Sequence, residues 1–213
     1  VGVDWPKSKI WKIATDGTNV VQITSNKGSY GDTSPCWSPD GKKIAFIRFQ
    51  LKEGMDSFGD AVIYMVDTSG VNPELLTQIS DNYVHSLTWS PDGKTIAYFT
   101  HEKKAPYTKN LNLLDVRTRE TKVTGDVPTV HVNIEMAWSP DSKRIAFNDA
   151  EGEVIKILNL ETGAIEDIET GLLDVSIYHL DWSPDGEKFV FGGYKGGDAE
   201  FWFLEDFLPL VKK

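Results

Sequence analysis

Apolar and polar residues alternate along this chain in short runs, and the runs recur in register. The segments "TSPCW", "HSLTW", "IEMAW" and "YHLDW" each alternate with a period of two and end on a tryptophan. Each tryptophan opens a near-copy of one sequence: "WSPDGKKIAF" from Trp37, "WSPDGKTIAY" from Trp89, "WSPDSKRIAF" from Trp138 and "WSPDGEKFVF" from Trp182. Period-two runs bounded by Pro, Asp and Gly predict strand, turn, strand. Within Ser-Pro-Asp-Gly, proline presets φ, the aspartates (Asp40, Asp92, Asp141 and Asp185) are placed to accept from nearby amides, and glycine supplies a positive φ. The third copy has Ser142 in place of that glycine, a change expected to lower stability but keep the hairpin.

A second signature follows each hairpin: "VIYMVDTSGVNPELLT", "NLNLLDVRTRETKVT" and "VIKILNLETGAIEDIE", preceded near the start of the chain by "KIWKIATDGTNVVQIT". These read as two further strands around a bend. The tryptophans are 52, 49 and 44 residues apart, and four strands in such a period is the arithmetic of a β-propeller blade. The fold expected is an all-β propeller of four-stranded antiparallel blades in a single domain, 1–213, with blade parts 9–24, 33–79, 84–125, 132–170 and 177–213. A lone blade cannot bury both faces, so the four tryptophans, with Leu87, Met136 and Leu180 two residues ahead of three of them, are expected to fill the seams between blades. Because every copy carries the Ser and Asp of "WSPD", they read as structural punctuation rather than as a catalytic pair.

At these motifs the chain resembles the WD40-like (PD40) repeats of the six-bladed TolB-type propellers, and the related propellers of dipeptidyl-peptidase IV-like and prolyl-oligopeptidase-like proteins. The resemblance covers nearly the whole chain. It implies a bacterial, periplasmic or exported protein that binds other proteins, or a propeller that gates a peptidase domain. The strands are lettered a to d from the centre of a blade outward. The chain then opens on a c–d pair, runs through three full blades and ends on a, b and c, about seventeen strands where six blades need about 24. An incomplete ring of about four to five blades is therefore expected, with blades missing ahead of the first residue. The ending "EFWFLEDFLPLVKK" reads as a true terminus, and open blade edges allow self-association.

Composition narrows the partners. With 22 Lys and Arg against 32 Asp and Glu, the net charge of −10 argues against a binder of nucleic-acid backbones. Cys36 is the lone cysteine, so no intrachain disulfide or Cys-based zinc site forms. No apolar stretch approaches the length of roughly 18 residues that a membrane span requires.

No Gly-x-Ser-x-Gly elbow, Walker loop, His-Glu-x-x-His or paired-cysteine spacing is present, and no catalytic residue is assigned. The candidate surface is where the inner strands begin. Ser34, Ser86, Glu135 and His179 stand three residues before the tryptophans, and Thr33, His85, Ile134 and Tyr178 four before. His85, His131 and His179 fall in three successive blades with Glu135 beside them, a set that converging imidazoles and a carboxylate make a candidate divalent-metal or acid–base site. Oligogalacturonate lyase, a propeller with similar repeats and a histidine-rich metal site, is the precedent by resemblance. Polar residues at a solvated channel mouth are the simpler reading, and no cofactor is assigned. Two long b-to-c connections, Phe49 to Ala61 and Thr100 to Asn110, present Met55, Phe58 and Tyr107 among charges. Together with His85 and Tyr178 these compose the expected binding surface for a protein or peptide partner.

Overall fold

The computed structural model describes residues 8–25, 30–51, 58–80, 82–102, 105–128, 136–148, 154–172, 174–195 and 198–204. Among the described residues there are seventeen strands and no helix. A two-stranded piece, β1 (Trp11–Lys12) and β2 (Val21–Gln22), precedes the first full sheet, β3 (Tyr30–Trp37), β4 (Lys43–Leu51), β5 (Phe58–Asp67) and β6 (Glu74–Ile79). The second sheet is β7 (Asn82–Trp89), β8 (Thr95–Glu102), β9 (Ala105–Asp115) and β10 (Thr121–Pro128). The third is β11 (Met136–Trp138), β12 (Arg144–Asn148), β13 (Val154–Asn159) and β14 (Ile165–Glu169), and the last is β15 (Ser176–Trp182), β16 (Phe189–Lys195) and β17 (Asp198–Leu204). Every sheet is an antiparallel meander in chain order, and β3, β7, β11 and β15 lie next to one another in succession. These are the blades of an incomplete propeller, with four-stranded sheets facing each other across apolar seams.

Each seam is built by the strand alternation that the repeat encodes. Ala45, Ile47 and Ile63 of the first sheet pack with Leu87, Trp89 and Tyr98 of the second. Phe99 and Leu111 of the second meet Met136, Trp138 and Phe147 of the third, and Ile155 and Ile157 of the third meet Leu180, Trp182 and Phe191 of the last. Trp89, Trp138 and Trp182 are buried as expected. Trp37 is not: it is 51% exposed. In the other seams the tryptophan packs with the b and c strands of the blade before it. Ahead of Trp37 the described residues supply a c–d pair, β1 and β2, but no b strand; beside that pair Ile10 and Ile23 pack with Ile44, Phe46 and Val66.

The four "SPD" turns are built alike. In the first, Ser38 Oγ donates to Asp40 Oδ1 at 2.7 Å and accepts from the Lys43 amide at 2.9 Å, while Asp40 Oδ1 accepts from the Lys42 amide at 3.1 Å. The same bonds recur around Asp92, Asp141 and Asp185. The serine therefore satisfies the turn as much as the aspartate does. Gly41, Gly93 and Gly186 take φ of +69°, +75° and +79°, and Ser142 takes +60°. Ser142 recovers part of that strain across the seam, because its Oγ accepts the Asp92 amide of the neighbouring blade at 3.0 Å. Successive turns thus touch, Gly186 lying against Pro140 as Gly93 lies against Pro39.

These bonds set an acid limit on stability. The serine hydroxyl bonds first, then the backbone amides, hold Asp40 and Asp185 below the ordinary 3.8, and the Ser139 bond does the same for Asp141 against burial. At Asp92 burial pushes upward, but the bonds from Ser90 and Lys94 outweigh it. A carboxylate with a depressed folded value contributes stability above its unfolded value and loses it as pH falls through the folded one. Unfolding on acidification should therefore set in below about pH 4. A circular-dichroism titration in which replacing all four serines (38, 90, 139 and 183) by alanine leaves that acid limb unmoved would contradict the assignment.

The connections expected as long loops are largely strand. β8 and β9 stay paired through Thr100↔Asn110, His101↔Lys109 and Glu102↔Ala105, so the backbone of Tyr107 lies in β9. Likewise Leu51 pairs with Phe58, placing Phe58 at the start of β5. Backbone pairing satisfies more amides than a free loop does, and these hairpins extend the sheets beyond the blade body.

Candidate functional site

The inner strands β3, β7 and β15 share one irregularity: each carries one extra residue against its partner, between Thr33 and Cys36, between His85 and Thr88, and between Tyr178 and Asp181. The residue in each slip is left-handed: Ser34 at φ +50°, Ser86 at +53° and His179 at +54°. These stand three before the tryptophan. A non-glycine residue there costs about 1–2 kcal/mol, and a bulge re-aims the side chains on either side of it. Its effect is visible in β7, where Val84 and Leu87, an odd number of residues apart, enter the same seam with Trp89.

The bulge also separates histidines whose offsets from the tryptophan differ by one residue. His85 lies on the face of the second sheet that it shares with Phe99, toward the third blade, whereas His179 occupies the slip itself and is exposed. The backbone of Tyr178 pairs with Gly192. Met55, His131 and Glu135 lie outside the described residues.

What the structure brings to His85 is His101, which sequence reasoning had not singled out. Nε2 of His85 and Nδ1 of His101 are 3.1 Å apart, with ring planes 7° from parallel. Tyr83, directly across the ladder from His101, packs its ring 4.9 Å from that imidazole. One ring nitrogen must donate and the other accept, so this bond exists only while at least one imidazole is neutral. His101 is buried, and His85 is half-buried. A strand register drawn outward from the Trp89 turn, corrected for one bulge, is the signal that would have paired them. Two adjoining imidazoles can relay a proton or offer two nitrogens to a metal. Among the described residues no third His, Cys, Asp or Glu joins them in a metal-sized cluster.

A second polar pair lies where β3 and β4 leave the blade. Asp32, fully buried, accepts from Arg48 Nε at 2.6 Å and from its NH2 group at 2.9 Å. The guanidinium carbon sits 5.1 Å from the Tyr64 ring and 5.5 Å from that of Phe46. The bond to Asp32, ahead of other causes, raises the Arg48 pKa further, and this bidentate, ring-enclosed geometry suits a scaffold. Burial pushes the Cys36 thiol up to about 12, which disfavours the thiolate.

The geometry defines the class first: an incomplete β-propeller whose repeat motifs are spent on turns and seams. The sequence profile of the TolB beta propeller domain (PD40) matches residues 47–205, and the chain belongs to that family. Dipeptidyl-peptidase 5 of Porphyromonas gingivalis is 34% identical over 151 residues, which make up 68% of this chain and 22% of that protein. Among solved structures, TolB from Acinetobacter baumannii superposes with a TM-score of 0.74 at 21% identity, over 93% of this chain and 46% of that one. Oligogalacturonate lyase in complex with manganese gives 0.68 at 14% identity, over 92% and 54%. At those identities the structural likeness is one of fold. The chain spans about a fifth of the curated relative and about half of each solved neighbour.

Proposed function

We propose that the chain is a non-catalytic propeller scaffold that binds a protein or peptide partner on the face where the inner strands begin and the b–c hairpins project. The observation that carries this reading is the extension of β4–β5 and β8–β9 past the blade body, which holds the backbone of Phe58 and Tyr107 on paired strands at that one face. Rigid presentation lowers the ordering cost of binding. His85 and Tyr178 begin their strands on the same side. A photo-crosslinker placed at position 58 or 107 should capture a polypeptide, and alanine at both positions should lower capture at least tenfold while the fold persists. Unchanged capture by the folded double variant removes the surface.

A second reading follows from the relative named as a peptidase: the bound polypeptide is the substrate of a catalytic unit that this propeller serves. Peptide cleavage should then require a hydrolase domain in the same protein or complex, and a full-length protein without one ends this reading. A third places a divalent metal on the His85–His101 pair, supported by their 3.1 Å approach. Manganese or zinc should bind the purified chain stoichiometrically and be lost in His101→Ala. No uptake at millimolar metal, or uptake that survives that change, removes it.

A further inference from the structure

The seam between the second and third blades is filled differently from its neighbours. In the seams on either side, an outer-strand residue closes the core, Leu76 from β6 and Ile168 from β14. The corresponding position on β10 is Thr124, whose hydroxyl turns back to donate to the Leu111 carbonyl at 3.1 Å, and among the described side chains of β10 (121–124) none joins the core of that seam. A cleft of about 680 Å³ opens there, with Trp138, Leu113 and Leu160 as its apolar lining. Trp138 is buried, and its indole Nε1 has no hydrogen-bond partner, a feature it shares with Trp89 in the seam before.

The neighbouring seams also hold cations that this one lacks. Six residues after each repeat tryptophan stand Lys43, Thr95, Arg144 and Lys188. Arg144 places its guanidinium carbon 5.0 Å from the ring of Trp182 in the next seam, and Lys43 reaches Glu74 at 3.8 Å in the seam before. At the seam of Trp138 the equivalent residue is Thr95, too short to do either, and it lines the cleft. From the opposite side, the c–d turn of the second blade sends Arg119 to Glu74 at 2.9 Å. Its counterpart in the third blade, identified by the same amide bond to the carbonyl four residues back, is Gly163. Both of those positions are therefore neutral here, where the wall carries Asp92, Asp115 and Glu120 with Lys122; Lys94 pairs with Asp92 at 3.4 Å, which leaves Asp115 and Glu120 as the acidic rim. Asp92 and Asp115 are held ionised by the bonds within their own turns, Asp115 first by the Thr118 amide.

We propose that this cleft receives an arginine side chain from a polypeptide partner, its stem on Leu113 and Leu160 and its guanidinium beside Trp138 and the carboxylates, replacing the cation that the adjacent seams supply in cis. An aliphatic stem ending in a planar cation matches an apolar floor with an acidic rim, and arginine stacks on indole better than lysine does. The cleft is lined by a–b and c–d turns, so it opens at the end of the blades opposite the b–c hairpins, and it stands or falls independently of the surface proposed above.

The probe is the capped tripeptide acetyl-Gly-Arg-Gly-amide, titrated into the isotope-labelled chain while the indole resonance of Trp138 is followed by NMR. A saturable shift is expected, at least tenfold weaker with citrulline in place of arginine. Thr95→Arg, which restores the cation in cis, should abolish the shift, and Glu120→Gln should weaken it several-fold. Phe58→Ala with Tyr107→Ala should leave it intact. The proposal is overturned by the absence of a saturable shift, by equal binding of the citrulline peptide, or by binding that persists in folded Thr95→Arg. Should that variant not fold, unchanged affinity in Glu120→Gln overturns it equally.

Discussion

Gly70→Ala should destabilise the chain by about 3–5 kcal/mol, whereas Gly17→Ala should cost about 1 kcal/mol. Both glycines sit in c–d turns with nearly equal φ, +79° and +82°, so the strain of a left-handed alanine is the same for each. They differ in what surrounds them. A Cβ on Gly17 meets nothing within 4 Å, while one on Gly70 lies 2.3 Å from the Ile23 carbonyl oxygen and 3.1 Å from its carbon. That neighbour is backbone of the preceding blade, held there by Ile10 and Ile23 against Ile44 and Phe46 and by Lys12 Nζ donating to the Thr68 carbonyl at 2.7 Å. It cannot move without opening the seam. Urea unfolding of the two variants measures the difference directly, and equal losses would show that β1–β2 does not dock where the structure places it.

Breaking the Asp32–Arg48 pair from one side should be nearly as damaging. Arg48→Met leaves a fully buried carboxylate with its two strongest donors gone, and Asp32→Leu leaves a guanidinium 17% exposed among three aromatic rings. Each should cost about 3–5 kcal/mol, because an uncompensated buried charge loses hydration without recovering a partner. The double variant Asp32→Leu, Arg48→Met should be more stable than either single variant, since removing both charges also removes their desolvation. A double-mutant cycle in urea decides the matter. If the two losses simply add, the pair is not coupled and the geometry between β3 and β4 has been misread.

Much of this was legible in the chain. Four "WSPD" copies set the hairpin, its turn and the number of blades present, because Pro, Asp and Gly act on their own neighbours and alternation needs no distant partner. The aspartate bonds were foreseeable for the same reason. The candidate site was less legible. Aligning Thr33, His85 and Tyr178 was correct, but the slip beside each is a left-handed residue at serine or histidine, where no glycine announces it. Met55, His131 and Glu135 fall outside the described residues.

By itself the sequence determined what is local and repeated: strands, turn chemistry, blade periodicity and the burial of Trp89, Trp138 and Trp182 on a period-two face. Tertiary structure alone decided what depends on the neighbouring blade. It left Trp37 exposed, because covering it takes a b strand as well as a c strand, and β1 and β2 are a c–d pair. It also gave Ser142 an acceptor role across a seam and set His101 beside His85 through a ladder sixteen residues long in sequence. The same dependence made one seam a cleft, where Thr95, Thr124 and Gly163 stand in place of larger or charged counterparts in the other blades. Their absences coincide only once the two sheets face each other, because seam filling is a property of a pair of blades, whereas a sequence repeat describes one.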